Sequence, residues 1–588
     1  NQGDMMKFFV ANMWIYGVSF SAGMFILPAS TEKELKLRYL MRANGMKNVN
    51  YWVGNLIIDY VIYTFQAAIV LVSIMFIYGS SPTASGQVLS LGLVWLISGF
   101  PIILCIYALS FMFDKGNTAF KSAFMIVYFV MYVAELVLFS VLKAWGTPLA
   151  ETLSLLVSVI SVFNPVWTCF RTSFVGTLME KEMFFDEKVL TSRSIALLLQ
   201  VLVACFYIWF ILFRDNRFSL TLRTKDKKDY PPVDVPDFIP EEVHQEAQDA
   251  SSKDNDAPIQ VRNIQKIYPG AKKWAVNSIS LNIPEGSIMG ILGANGAGKS
   301  SLFNILTYHT NSTYGDFKLF NTQLNRSSYD KFQNMSVCAQ ENTLWETVSV
   351  IEHMELIAEV KGMDTEIYST RGHLDAIMTS FGLNEYRNVA AGKLSGGNKR
   401  KLLIAMSMIA NPKIRFLDEP STGIDPVARR SLWNLLVDSC KESQCTSILT
   451  THSMEEAESL CDKLAIIVNG SVVTVGTSQF LKNKYGQGYR VVVAMGEANS
   501  VDSRVEKVRG ILQETVGDVE ILPLANERKN IVFQIRDTNR LKFSVLFDRF
   551  QRLKKDETIE DYSIKQATLH QVFLHFANQQ EADDRENQ

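Results

Sequence analysis

The order of apolar and polar residues divides the chain into two unlike parts. Up to residue 213 it is dominated by long, nearly uninterrupted apolar runs; from residue 258 onward short apolar runs alternate with amphipathic ones. A helix needs about 20 apolar residues to cross the hydrocarbon core of a membrane. Five runs meet that length, at 8–28, 55–79, 88–113, 119–142 and 194–213, so residues 1–213 are expected to form an all-α transmembrane bundle. The stretch 152–170, "TLSLLVSVISVFNPVWTCF", is broken by Asn164-Pro165 and predicts an outer re-entrant hairpin near 150–175. Lipid does not tolerate exposed irregular backbone, so such a hairpin has to be buried against protein.

Lysine and arginine in short loops set the orientation. The 30–50 connection carries Lys33, Lys36, Arg38, Arg42 and Lys47, residues 214–228 carry Arg214, Arg217, Arg223, Lys225, Lys227 and Lys228, and the 80–87 loop "SSPTASGQ" carries none. This pattern places 30–50, 114–118 and everything after 213 in the cytoplasm, with 80–87 and 143–193 outside. Five spans then put the N-terminus outside. "NQGDMMKFF" has neither a basic n-region nor a cleavage site, so no signal peptide is expected, and the expectation is a piece of a longer chain. The mixed segment 30–50 predicts an amphipathic helix, lying along the membrane or docking on a cytoplasmic domain. Asp59 and Glu135 fall inside spans, where a charge costs about 3 kcal/mol. Each is either a polar site on a transport path or a carboxylate near an interface or paired with a neighbouring helix. Residues 214–257, Pro-rich and then acidic, read as a flexible linker.

The second part carries the candidate chemistry. "IMGILGANGAGKS" (288–300) is a short apolar strand running into a glycine-rich loop and a helix, the context a P-loop requires. Gly293, Ala294, Asn295, Gly296, Ala297 and Gly298 can turn backbone N–H groups toward phosphate, with Ser301 in the helix that follows. Lys299 supplies charge to the β- and γ-phosphates of ATP, and Ser300 can ligate Mg²⁺. "IRFLDE" (414–419) is an apolar strand ending in two acids, with Asp418 a candidate Mg²⁺ ligand and Glu419 a candidate general base. His452, after the short strand "SILTT", could hold the γ-phosphate or the attacking water. Charge is balanced, 58 Lys+Arg against 60 Asp+Glu, which gives no reason to expect nucleic acid. Seven cysteines with no CxxC argue against a disulfide scaffold or zinc site.

Taken in order, these residues resemble the nucleotide-binding domain of ABC transporters over 258–484. The resemblance implies that Tyr268 in "KIYPG" stacks on adenine and that Gln340 in "CAQEN" contacts Mg²⁺ and senses the membrane domain. It implies that Ser395, Gly396 and Gly397 of "LSGGN" close over an ATP held by another cassette, that Asp425 lies in the D-loop, and that His452 is the switch histidine. The wording of "LGANGAGKSSLFNILT" and "GGNKRKLLIAMSMIANPKIRFLDEPSTGIDP" is similar to the A subfamily, known for moving lipids, as is "IEDYSIKQATLHQVFLHFA" (559–577). Asn398 and that tail resemble the second half of a full-length transporter. The implied partner is an N-terminal half with another cassette, or a homodimer mate, and membrane lipid is the implied substrate. The chain departs from the pattern at Tyr308, Ala339, Ser421 and Arg415; a guanidinium at 415 would be buried and would need a partner.

Alternating "YRVVVAM" and "NIVFQI" with the helix "SRVEKVRGILQE" predict a small α+β ferredoxin-like regulatory domain over 485–580, before a disordered tail, 581–588. Leu569, Val572, Phe573 and Phe576 fall on one helix face, which packs on its own cassette or on a partner. The functional expectation is an ATP-driven primary transporter of lipid or another amphipathic substrate. The alternative is an ATP-gated channel or nucleotide-sensing regulator with little transport.

Overall fold

A computed structural model of the chain describes residues 2–78, 82–133, 164–166, 187–217, 240–252, 257–271, 273–320, 322–323, 332–486, 488–494, 501–516, 519–522, 530–535, 542–556 and 558–574, and singly 137, 141 and 576. It divides into two compact units, one of residues 1–223 with 343–345, the other of 224–342 with 346–588.

The first unit is helical: α1 (Gln2–Glu34), α2 (Leu37–Ala43), α3 (Asn48–Tyr78), α4 (Pro82–Ser110), α5 (Gly116–Met125) running into a π-helix over Ile126–Val133, and α6 (Glu187–Arg217). Three stretches are long and apolar enough to cross a membrane, Asn48–Ser73, Gly92–Ser110 and Leu198–Asp215. They coincide with the second, third and fifth apolar runs. The first run lies in α1 and the fourth begins in α5, while Glu135 and, apart from 164–166, the expected hairpin lie outside the described residues. On α3, Ile57, Val61, Phe65, Val72 and Phe76 are exposed, Phe76 by 85%. Such an apolar stripe at helical spacing suits contact with lipid or with another protein rather than with water.

Polar residues of the bundle turn inward and meet. The Tyr107 hydroxyl donates to Asp59 at 2.5 Å, and Ser98 donates to Gln200 at 2.7 Å. Asp59 is therefore paired with a neighbouring helix, one of its two sequence readings. Lys36, at φ 57°, breaks the chain between α1 and α2. Leu37, Leu40 and Met41 of α2 are buried. Arg38 stacks over Trp52 at 4.6 Å and Tyr51 at 4.9 Å, and ion-pairs with Asp215 near the end of α6. Trp345, part of this unit, donates to Glu32 at 3.2 Å.

The second unit opens with α7 (Glu241–Ser251). This helix lies in the stretch whose composition reads as flexible linker. Its order comes from partners distant in sequence. Glu246, 4% exposed, accepts from the Asn282 amide at 2.8 Å and pairs with Lys463. Glu242 accepts from Thr474 at 2.9 Å and Lys484 at 2.6 Å.

The cassette follows: β1 (Ile259–Lys266), β2 (Val276–Ile283), β3 (Ile288–Gly293), α8 (Lys299–Leu306), β4 (Tyr314–Leu319), β5 (Thr322–Gln323), β6 (Met335–Cys338), α9 (Val350–Val360), α10 (Tyr368–Ser380), α11 (Gly396–Met408), β7 (Ile414–Asp418), α12 (Pro426–Ser443), β8 (Thr446–Thr451), α13 (Met454–Leu460), β9 (Lys463–Val468), β10 (Ser471–Gly476) and α14 (Ser478–Tyr485). One sheet is antiparallel in the order β2-β1-β4-β5, the other mainly parallel in the order β10-β9-β3-β8-β7-β6. In the second, β3 and β8 carry buried side chains along their whole length, as parallel strands covered on both faces do. The crossover order sets the C-terminal ends of β3, β8 and β7 side by side, where ligands of open α/β sheets bind.

The C-terminal region runs β11 (Tyr489–Ala494), α15 (Val501–Val516), β12 (Val519–Leu522), β13 (Asn530–Ile535), α16 (Phe543–Lys555) and β14 (Asp561–Gln566), with strand order β12-β13-β11-β14. This is the βαββαβ ferredoxin-like arrangement. Val491, Val493, Val508, Leu512, Phe533 and Phe550 form its core. Beyond it, Leu569, Val572 and Phe576 pack with Leu292, Leu464, Ile466 and Leu481 of the cassette. Of the two readings of that helix face, the chain's own cassette is the one seen.

Candidate nucleotide site

The P-loop is built on β3, whose six residues are buried. The loop then turns with Gly296 at φ 82° and Gly298 at φ 104°. A Cβ at Gly298 would stand 2.2 Å from the Ala275 carbonyl oxygen, so no side chain fits there. Lys299 opens α8 and is 7% exposed; its ammonium folds back onto the carbonyls of Gly293 at 2.8 Å and Ala294 at 2.9 Å. Burial lowers its pKa, against the opposing pull of Glu419 and Asp418. Asn295, Gly296 and Ser300 are exposed. The Tyr268 hydroxyl lies 3.2 Å from Ser301 Oγ, its ring within reach of the Lys266 ammonium at 5.2 Å.

The end of β7 supplies the acids. Asp418 accepts from the Thr450 hydroxyl of β8. Glu419 leaves the strand at φ 48°. Its carboxylate accepts from Gln340 Nε2 at 2.9 Å and lies 3.3 Å from His452 Nδ1. Gln340, Glu419 and His452, read separately from three motifs, are thus in contact. Ser395 and Asp425 do something else. Each is an N-cap: Ser395 of α11, accepting from the Asn398 amide at 3.3 Å, and Asp425 of α12, accepting from Ala428 at 3.0 Å. Among the described residues no hydrogen bond joins Ser395, Gly396, Gly397 or Asp425 to the P-loop, and Ser395 and Gly396 are exposed.

Sequence reasoning missed Arg400. It is 2% exposed and donates to five backbone carbonyls: Ala339 and Gln340 just after β6, Asp418 at the end of β7, and Glu419 and Pro420 just after it. One guanidinium therefore fixes the backbone of both Gln340 and Glu419. No spacing signal singles Arg400 out: Leu402 to Met408 are all buried, so α11 shows no single buried face, and "KRK" looks like a solvated charge run.

Burial holds the Asp418 carboxyl above its ordinary range, with Glu419 adding to the shift and Thr450, Arg400 and Lys299 opposing it. The folded state thus disfavours the ionised form, and that penalty sets in as pH rises above the ordinary value of 3.8. Asp418→Asn is expected to raise the nucleotide-free Tm by about 2–4 °C at pH 8. The gap should close as pH falls toward 4, and thermal melts between those pH values check it. A gap that does not vary with pH would show that desolvation of the carboxylate is not its cause.

A P-loop at the C-terminal end of one strand of a mainly parallel sheet, with two acids at the end of another, marks a P-loop nucleotide-binding cassette. Residues 276–422 match the ABC transporter family. That match places an ABC-type ATP-binding domain in the chain, and nearly the whole chain is similar to members of the A subfamily of these transporters. It is 29% identical over 594 residues to the retinal-specific phospholipid-transporting ATPase ABCA4 of Homo sapiens, covering 97% of this chain and 25% of the relative. It is 28% identical over 582 residues to the human phospholipid-transporting ATPase ABCA7, covering 97% of this chain and 26% of that protein. Against human ATP-binding cassette sub-family A member 2 it is 28% identical over 604 residues, with coverage of 98% and 24%. The chain spans about a quarter of the length of these relatives.

Proposed function

We propose that the chain is part of a primary transporter that couples ATP hydrolysis at this site to movement of phospholipid or another amphipathic substrate across a membrane. The observation that supports the hydrolytic reading is the placement of Glu419 between Gln340 and His452 at the end of β7. Lys299 and the amides of 293–298 bind the phosphates, with Tyr268 against the base and Ser301 beside it. Ser300, Asp418 and Gln340 offer oxygen donors, the set that suits Mg²⁺, which when bound offsets phosphate charge. Glu419 takes a proton from the attacking water, and His452 orients Glu419 or the γ-phosphate.

The exposed Ser395 and Gly396 and the D-loop Asp425 complete the site of a second cassette, in another part of the same transporter or in a homodimer mate. The names of the relatives, phospholipid-transporting ATPases, support lipid as cargo. The orientation from Lys and Arg puts the cassette in the cytoplasm.

The test is reconstitution of the full-length protein in vesicles containing fluorescent phospholipid. ATP with Mg²⁺ should drive lipid between leaflets and lipid should change the ATPase rate. ATP turnover without lipid movement, together with ATP-gated ion conductance, would select the channel reading instead.

A further inference from the structure

Strand β7 holds an arginine at its second position, between apolar neighbours. Arg415 is 1% exposed. Ser336 of β6 and Ser447 of β8 flank it in register, and residues side by side in adjacent strands share a face. Both serines are buried, at 0% and 1% exposure. Arg415 Nη2 donates to Ser439 Oγ of α12 at 2.9 Å. Its Nε and Nη1 are buried and have no partner among the described residues, and the same is true of Ser336 Oγ.

A guanidinium carries five N–H donors, and an unpaired buried cation is strongly disfavoured. No carboxylate among the described residues forms an ion pair with it. Its charge reaches the thiols of Cys338, Cys440 and Cys445, pulling each toward ionisation, but burial outweighs the pull and raises all three, Cys440 to about 11. They remain neutral and offer no counter-charge. The C-terminal end of α12 contributes only partial negative charge. Ser447 Oγ is weakly engaged, 4.0 Å from Cys440 Sγ and 3.9 Å from Cys445 Sγ.

The geometry points to a buried site for a small monovalent anion of the chloride class, held by Arg415 Nε and Nη1 with the hydroxyls of Ser336 and Ser447. The register puts both serines on the Arg415 face of the sheet, beside a guanidinium with two unpartnered donors and no carboxylate paired to it among the described residues. Arg415 lies three residues before Asp418, about 10 Å back along the strand. The anion therefore does not compete with nucleotide phosphate; it steadies the strand that carries Asp418 and Glu419.

The experiment is thermal unfolding of the full-length protein in detergent, with sodium chloride replacing sodium gluconate at constant ionic strength. Wild type should gain about 2–4 °C, saturably. Arg415→Met should lose the response, and Ser336→Ala should need several-fold more chloride for the same gain. An equal gain in Arg415→Met, or none in wild type, overturns the proposal. Should Arg415→Met not fold, crystals of wild type grown in bromide decide alone. An anomalous peak against Arg415 Nε supports the site, and its absence rejects it.

Discussion

Glu419→Gln is expected to lower ATP turnover by about 10²–10⁴-fold in the full-length protein while leaving ATP binding intact. The amide has nearly the shape of the carboxylate, so the contacts with Gln340 and His452 can be kept in altered form. What it lacks is a basic oxygen to take a proton from water. Lys299 and the loop amides, which hold the phosphates, are untouched. Steady-state phosphate release and fluorescent-nucleotide binding on the same preparation separate the two effects. Unchanged turnover would remove Glu419 from the role of base. A parallel loss of binding would mean that the substitution disturbed the P-loop through the charge that Glu419 places near Lys299.

Arg400→Met should have the other large effect, on stability and activity together. The side chain is nearly inaccessible and five carbonyls depend on it. Leaving several buried acceptors unpaired costs about 3–5 kcal/mol, which lowers Tm by roughly 8–15 °C for a domain of this size. Turnover should fall by about 10²-fold even below the melting temperature, because Gln340 and Glu419 lose the fixed backbone that sets their distance. Arg400→Lys should rescue little, since an ammonium has three donors on a flexible stem where the guanidinium has five in a plane. A Tm within 1–2 °C of wild type would show that the carbonyls find water and that the fan is dispensable.

Much of this was legible because it is local. The helix lengths of α3, α4 and α6 follow from runs of apolar residues long enough to span lipid. The P-loop follows from glycines at positions where the backbone takes positive φ, as at Gly296 and Gly298. The βαββαβ order of the C-terminal region follows from alternation of short strands with amphipathic helices. What escaped were elements whose energy comes from distant partners. Helix α7 reads as linker because its glutamates are solvated in isolation; Asn282, Lys463, Thr474 and Lys484 make them structural. Arg400 reads as one basic residue among three.

The sequence by itself determined the class of chemistry, since loop glycines, Lys299 and an acid pair after an apolar strand carry their meaning in covalent order. It also determined that residues 1–213 contain helices suited to lipid, because hydrophobic length is a property of the chain. Only the tertiary structure decided which residues meet. The order β3-β8-β7-β6 brings Gln340, Glu419 and His452 together across gaps of tens of residues. It set Arg400 under two turns at once and left Arg415 buried with unpaired donors. Hydrogen-bond satisfaction is settled by packing across strands and helices, and that information is not present at any single position in the chain.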